Sequence, residues 1–421
     1  MKLLNKFFLD SNKKQAISWS FFDFANSGYA LLIGTFVFPI FYKEVIAGKE
    51  NGDFYWGLII SLSILIGGLL TPIIGAMADH DSRKKAKLIF FTLLCIFGTS
   101  MLYFSGPNTL IFTSIVFVFT HICFEISTTL YDSFLSQVST PKTVGRISGL
   151  GWGFGYIGGI VAMIALTPLF EDGYAGNLMN NYKLTFPLTA LFFLIFALPA
   201  FFYLKENKSL LTKIKFFILA KTGLQKVIGT IKTLKNYKNI AWFLLAFFLL
   251  NDALITLFTF MPIYARTTFE MSFTEIMSLL LIVQIAGFPA ATIFGYISDK
   301  KGSKKILLTT IIIWGIIIIM LAAANSKEIF YAIALLTALV IGSSQAIARS
   351  WLNKMVPEEK RFEFFGFNGF ASKMAATTGP LLFGTISVLT GNQRFAILAL
   401  LPFFIASFLI FSKIKEEKIL P

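Results

Sequence analysis

Cysteine, histidine and the common catalytic motifs are nearly absent from this sequence. Its 421 residues include two cysteines and two histidines, too few for a disulfide framework or an obvious zinc cluster. No G-x-x-x-x-G-K-[ST] phosphate loop, H-E-x-x-H helix or G-x-S-x-G turn occurs. The sequence therefore argues against a P-loop ATPase, a zinc enzyme and an α/β-hydrolase, and it predicts no enzyme activity, cofactor or bound metal.

Charged residues are also scarce, at 14% of the chain, whereas hydrophobic residues make up 56%. That composition excludes disorder and disfavours an ordinary soluble domain. Apolar runs of about 18 to 27 residues are long enough to cross a bilayer as helices, and a helix satisfies its own backbone groups where water is missing. We predict an all-α integral membrane protein with twelve spans, at 17–42, 56–77, 87–105, 109–135, 145–169, 183–204, 239–265, 273–298, 305–324, 327–350, 366–389 and 394–414.

A short motif after the second run is repeated 220 residues later, and this repeat predicts two related halves. The first copy runs from Gly75 through Asp79 to Arg83-Lys84-Lys85, and the second from Gly295 through Asp299 to Lys304-Lys305. We predict two pseudo-symmetric six-helix bundles, residues 1–204 and 239–421. The segment 205–238 between them is read as one or two basic amphipathic helices on the inner leaflet, or alternatively as a flexible basic linker.

The lysines and arginines are concentrated in alternate connections between the predicted spans. If the connections are numbered alternately, roughly 30 Lys and Arg lie on one side and six on the other, which is a positive-inside bias. The net charge of +15 thus indicates topology and an anionic inner leaflet as a partner, and no nucleic-acid motif accompanies it. Both termini are expected in the cytoplasm, and the lysine bias and compact loops favour a bacterial inner membrane.

The repeated motif is a candidate gate. Asp79 at a helix end can cap a neighbouring helix, and Arg83 can pair with a carboxylate, so the two could clasp one conformation closed. The second copy has Ser303 in place of the arginine. The alternative is a short solvated turn. The gate candidates are Gly75, Asp79, Arg83, Gly295 and Asp299.

Polar side chains within the apolar runs are the second group of candidates, because such groups normally face the bundle interior or a cavity. Some have simpler explanations: Asp23 could lie among headgroups if its helix began later, His121 could be a hydrogen-bonded core residue, and Lys373 could snorkel to the surface. Glu125 and Asp252 are the two candidate proton sites, and Lys373 could pair with a carboxylate or bind an anionic substrate group. The pathway candidates are Asp23, Asn26, His121, Glu125, Asp252, Gln284, Gln345, Arg349 and Lys373.

Several longer stretches resemble one known family. The two halves with their repeated motif look like the major facilitator superfamily. Within it, the blocks that begin at Trp19, Gly145, Leu250, Gly342 and Glu363 resemble the vacuole-effluxer-like branch, linked to autophagy in fungi. The resemblance implies alternating access without ATP. It also implies amino-acid efflux, although this chain lacks the long loops of the eukaryotic members.

The sequence thus predicts a monomeric secondary transporter of a small solute, with efflux of amino acids or related metabolites and proton coupling favoured. Three alternatives remain at this point. One is uptake of a different small polar solute, another is a transporter-like sensor without flux, and the third is a polytopic membrane enzyme. The last would need a nucleophile–base set or metal cluster, and none is visible in the sequence.

Overall fold

The computed structural model describes residues 12–80, 83–140, 143–205, 216–357 and 361–414, and within these ranges all regular structure is helical. The longer helices are numbered here in chain order. They are α1 Lys13–Tyr29, α2 Gly52–His80, α3 Lys84–Met101, α4 Leu110–Asp132, α5 Val144–Phe170, α6 Leu178–Tyr203, α7 Phe216–Leu234, α8 Lys238–Thr268, α9 Phe273–Lys301, α10 Ser303–Ala323, α11 Lys327–Met355, α12 Arg361–Ala375, α13 Thr378–Thr390, α14 Gln393–Leu398 and α15 Leu401–Lys413.

The first membrane run is not a uniform α-helix. After α1 the chain continues through a π-helical segment, Ala30–Thr35, a short α-helix, Val37–Phe41, and a second π-helical segment, Tyr42–Ile46. Together these elements form one apolar stretch of 34 residues. π-helical segments are rare and local, and the sequence analysis did not predict them.

Ten apolar stretches among the described residues are long enough to cross a bilayer, so the all-helical membrane architecture is confirmed. The two other predicted spans differ from those ten. Span 273–298 lies on the single helix α9, which contains a shorter apolar stretch, Phe273–Gly287, and is not counted among the ten. Span 366–389 lies on two helices, α12 and α13, with a break at residues 376–377. The expectation of one continuous run there is wrong, and the count of twelve stays a prediction.

The chain divides into two compact units, one within Met1–Ala47 and Ile66–Gln225, the other within Gly48–Leu65 and Lys226–Pro421. The first part of α2 thus groups with the second unit, because Gly57 lies against the backbone of Pro380. The sequence-predicted boundaries at 204 and 239 stay a prediction.

In the first unit, an aromatic stack joins α1 to α4. The ring of Tyr131 lies between Trp19 and Phe22, with centroid distances of 4.5 and 4.8 Å. The indole N–H of Trp19 donates to the Tyr131 carbonyl oxygen at 3.1 Å. Stacked pairs contribute beyond the area that they bury, so this stack fixes how α1 crosses the end of α4.

In the second unit, α8 buries one face over much of its length, from Ile240 to Ala265. Phe243 packs edge-on against Trp351 and Phe411, at 5.3 and 5.1 Å. A hydrogen bond adds to this packing, because the hydroxyl of Ser407 on α15 donates to the Ala246 carbonyl oxygen of α8 at 2.9 Å. The packing along α8 therefore holds the helix in place for the polar residues that it carries further on.

A buried carboxylate ties the start of α2 to the second unit. Asp53 is 4% exposed, and its Oδ2 accepts hydrogen bonds from the Ser387 hydroxyl at 2.6 Å and the Gln393 amide at 2.8 Å. The side-chain oxygen of Gln393, Oε1, accepts in turn a hydrogen bond from the Thr268 hydroxyl at 3.0 Å. This network joins α2, α8, α13 and α14.

Replacing Asp53 with alanine is expected to destabilise the folded protein. The change leaves two buried donors without their acceptor, which costs about 2 kcal/mol or more. Thermal unfolding of the purified protein in detergent measures the effect. The same change at the exposed Asp172 is the control and should shift unfolding little. Equal midpoints for the two variants would contradict a stabilising role for the network.

Candidate functional site

The break between α12 and α13 is held by two neighbouring side chains of α8. The Asn251 amide donates to the carbonyl oxygen of Ser372 in the last turn of α12, at 3.2 Å. Asp252 Oδ1 accepts from the N–H of Gly379 in the first turn of α13, at 2.8 Å. Helix ends leave such backbone groups without intrahelical partners, so consecutive residues satisfy one group on each side of the break.

The local sequence explains why the helix breaks here. In a continuous helix the ring of Pro380 would clash with the carbonyl of residue 376 and would remove one hydrogen bond. Gly379 is needed for close approach, since a Cβ there would meet the Thr256 hydroxyl and lie 2.8 Å from Asp252 Oδ1. The Gly379-Pro380 pair therefore creates both the break and the space for the carboxylate.

The Asp252 carboxylate is fully buried, at 0% exposure. Its Oδ1 bonds Gly379, whereas its Oδ2 has no hydrogen-bond partner among the described residues. A carboxylate at a helix N-terminus is favoured by the helix dipole, but a half-satisfied buried charge is costly. This is the pattern expected of a functional group in a membrane bundle.

The first unit also places an aspartate against glycines. A Cβ on Gly151 would lie 3.3 Å from Asp23 Oδ2, and a Cβ on Gly155 would lie 2.9 Å from the Ser27 hydroxyl. Asn26, three residues further along α1, is buried. The glycines of α5 thus give the polar face of α1 room to lie against that helix, and Asp23 stands half-buried at this contact.

His121 and Glu125 are one helical turn apart on α4, and the structure brings their side chains together. His121 Nε2 lies 3.9 Å from Glu125 Oε1. The imidazole stacks over Phe117 with a centroid distance of 5.5 Å, and Glu125 is half-buried against Gly67 of α2. An imidazole beside a carboxylate can exchange a proton with it, so this pair suits proton handling.

The remaining pathway candidates differ in their exposure. Gln284, Gln345 and Lys373 are half-buried, and Arg349 is exposed. Lys373 directly follows Ser372, and so it lies at the helix break. No group of three or more His, Cys, Asp or Glu residues that could hold a metal occurs in the described part of the chain.

Four of the five predicted gate residues have side chains outside the described part of the chain. Gly75, Asp79, Gly295 and Asp299 lie on α2 and α9, but their side chains fall outside the described residues. Arg83 is exposed.

The lysines that follow in the motif have defined positions. Lys84 donates to the Ser133 carbonyl at 2.6 Å and lies 4.4 Å from the centre of the Phe134 ring. Lys304 donates to the Ser412 and Ile414 carbonyls, both at 2.7 Å. Each of these lysines lies in the first turn of its own helix and bonds carbonyl groups at the C-terminal end of another helix, where such groups lack intrahelical partners.

Sequence reasoning identified Asp252 but missed the groups that it binds. Asn251 lies in the block that begins at Leu250 but was given no role, and neither Ser372 nor Gly379 was connected with α8. The Gly379-Pro380 pair is a signal that could have located the break. Asp53 was missed because it lies just outside the predicted span.

Comparison with known proteins gives a consistent result. The family described as "Vacuole effluxer Atg22 like" matches residues 54–143 and 136–419. An uncharacterized MFS-type transporter of Bacillus subtilis is 28% identical, with 96% of this chain and 95% of the relative covered. Autophagy-related protein 22 of Yarrowia lipolytica is 21% identical, with 85% of this chain and 75% of the relative covered.

Solved structures share the fold at low sequence identity. The nucleoside transporter NupG superimposes with a TM-score of 0.75 at 14% identity, covering 96% of this chain and 100% of that one. A D-xylose–proton symporter gives 0.69 at 13% identity, covering 96% and 97%. These likenesses extend over nearly the whole chain.

Proposed function

The chain belongs to the vacuole effluxer Atg22-like family of MFS-type transporters, and we propose that it exports amino acids or related small metabolites by alternating access in exchange for protons. One observation carries this proposal: the two broken ends at α12 and α13 are held by Asn251 and Asp252 deep in the second unit. Secondary transporters build substrate and ion sites from such discontinuous helices.

The chemistry of the groups supports a polar, charged solute. Asp252 presents a carboxylate oxygen that the described residues leave without a hydrogen bond, and Lys373 adds a cationic group beside the break. An amino acid carries an ammonium and a carboxylate, so each end of the solute has a group of opposite charge in this neighbourhood. The fungal relatives, by the resemblance noted above, favour the same solute class and the outward direction.

Proton coupling is assigned to the carboxylates within the spans. Glu125 stands beside His121 in the first unit, and Asp252 is a buried carboxylate of the second. A proton that binds to either group removes a charge from the bundle interior, where it is costly. We place the coupling proton on Glu125 because the neighbouring imidazole offers it a route to and from the carboxylate.

The test is flux in proteoliposomes that contain the purified chain and a labelled amino-acid mixture, with and without an imposed proton gradient. Accumulation that depends on the gradient is expected. Flux that does not depend on the gradient would support transport but contradict proton coupling. If folded protein moves no amino acid, the assignment of the solute class is wrong, and a sensor that binds a metabolite without moving it is favoured.

Replacing Glu125 with glutamine is expected to abolish proton-driven accumulation and to leave solute exchange largely intact. The amide keeps the size and hydrogen bonding of the side chain but binds no proton. Parallel uptake and exchange assays measure the two activities. Asp132→Asn, an exposed carboxylate on the same helix, is the matched control. Normal accumulation by the Glu125 variant would refute its assignment as the proton site.

The topology completes the proposal. The lysine-rich connections support a bacterial inner-membrane protein with both termini in the cytoplasm. The motif that contains Asp79 and Arg83 would then lie on the cytoplasmic side, where it would act as the gate.

A further inference from the structure

A cleft lies where the chain enters the second unit. Helix α7 ends at Leu234, a turn follows, and α8 begins at Lys238. The turn is closed by backbone hydrogen bonds, including one from the Tyr237 N–H to the Leu234 carbonyl at 3.0 Å. The cleft at this corner has a volume of about 720 Å³. Its lining residues are Ile231, Leu234, Lys235, Lys238, Ala241 and Trp242.

The cleft has an apolar wall that is exposed. Ile231 is 48% exposed and Trp242 is 54% exposed. One turn deeper along α8, Leu245 is 44% exposed and continues the same surface. Tryptophan is enriched at membrane–water interfaces, where its ring lies at headgroup level. An exposed apolar wall that begins at a tryptophan and continues along a membrane helix is suited to the boundary between headgroups and acyl chains.

The rim of the cleft is positively charged. Lys235 and Lys238 are both exposed, and they also line a second, smaller cleft of about 370 Å³ on the side of Met355. The sequence contains no aspartate or glutamate between Glu206 and Asp252. No acidic side chain of this segment neutralises the two lysines, so the rim complements an anion.

We propose that this cleft binds one anionic phospholipid, with the headgroup phosphate on Lys235 and Lys238 and an acyl chain along Trp242 and Leu245. A phosphate fits the two ammonium groups, and a hydrocarbon chain fits the exposed apolar wall that leads into the membrane. Basic pockets beside membrane helices are suited to such headgroups. A bound lipid would tie the segment between the halves to the membrane surface at the start of α8.

Native mass spectrometry of the purified full-length chain tests the proposal, with phosphatidylglycerol and phosphatidylcholine of the same acyl chains as probes. The wild type should retain one phosphatidylglycerol in preference to phosphatidylcholine. The double variant Lys235→Gln, Lys238→Gln should bind it roughly 30-fold more weakly, about 5-fold for each lysine. The control pair Lys300→Gln, Lys301→Gln changes two other exposed lysines and should leave binding within about 2-fold of the wild type.

A second readout locates the acyl chain without any lysine variant. Brominated phosphatidylglycerol should quench tryptophan fluorescence, and the quenching should be smaller in Trp242→Phe than in Trp152→Phe, which removes the other strongly exposed tryptophan, 52% exposed on α5. Equal retention of both lipids by the wild type, or unchanged binding by the lysine double variant, would overturn the proposal. If millimolar inorganic phosphate displaces the lipid completely, the cleft takes a free phosphate and the lipid assignment fails.

Discussion

Replacing Asp252 with alanine is expected to abolish flux and to lower the stability of the folded protein by about 2 kcal/mol. The change leaves the Gly379 N–H buried without its acceptor, and it removes the negative charge from the first turn of α13. Asp252→Asn is expected to recover the stability, because the amide oxygen still accepts from Gly379. It should not recover flux, since an amide has no negative charge to pair with the ammonium group of the solute. Thermal unfolding and proteoliposome flux separate the two effects.

The pair of variants also distinguishes the two carboxylates. If Asp252→Asn exchanges solute but does not accumulate it, the coupling proton must be assigned to Asp252 instead of Glu125. If Asp252→Asn accumulates solute like the wild type, the role of Asp252 is only structural, as a cap on α13. Thr256→Val is the matched control on α8, because the Thr256 hydroxyl bonds the backbone carbonyl of Asp252 at 2.7 Å and not its carboxylate. That control should transport like the wild type.

A single methyl group on α5 is expected to have the second large effect. A Cβ on Gly158 would lie 2.6 Å from backbone carbon atoms of Phe24 and would also meet its carbonyl oxygen. Backbone cannot move aside as a side-chain tip can, so Gly158→Ala must push α1 away from α5. Overpacking of this kind costs about 1–3 kcal/mol, and it also displaces Asp23 on the same face of α1.

Another glycine of α5, Gly153, provides the control for that experiment. A Cβ on Gly153 would meet nothing within 4 Å, so Gly153→Ala should be neutral or slightly stabilising, because alanine favours a helix over glycine. Thermal unfolding and the monodisperse fraction in detergent measure both variants. Similar losses in the two would mean that glycine content alone, and not the contact with Phe24, determines stability.

The sequence predicted the helical membrane architecture because each apolar run is a local signal. It also found Asp252, Asp23 and Glu125, since a charge in an apolar run is conspicuous. It could not find the partner of Asp252, because Gly379 lies 127 positions further along the chain and only tertiary packing brings them together. The break beside Gly379 was locally readable from Pro380, but the long apolar run obscured it.

Asp53 shows the opposite limitation. Its carboxylate looks like an ordinary polar residue at the edge of a helix, and only the fold reveals that Ser387 and Gln393 bury it. Lys84 similarly looked like part of a charge signal for topology, whereas its ammonium group bonds the Ser133 carbonyl. The residue type of Lys84 supported a prediction about the side of the membrane, but it could not predict which carbonyl group the side chain bonds.

The two π-helical segments of the first run, Ala30–Thr35 and Tyr42–Ile46, have a consequence for how this protein can change over generations. A π-helical segment corresponds to one residue inserted into an α-helix, and each residue turns an α-helix by about 100°. The π-helical geometry absorbs that extra residue locally, so loss of one codon from Ala30–Thr35 would restore a regular helix and leave the parts before it, including Asp23, oriented as before relative to the parts after it. A one-residue deletion is therefore more tolerable in this stretch than in a regular helix, and an alignment of distant relatives should admit a one-residue gap there.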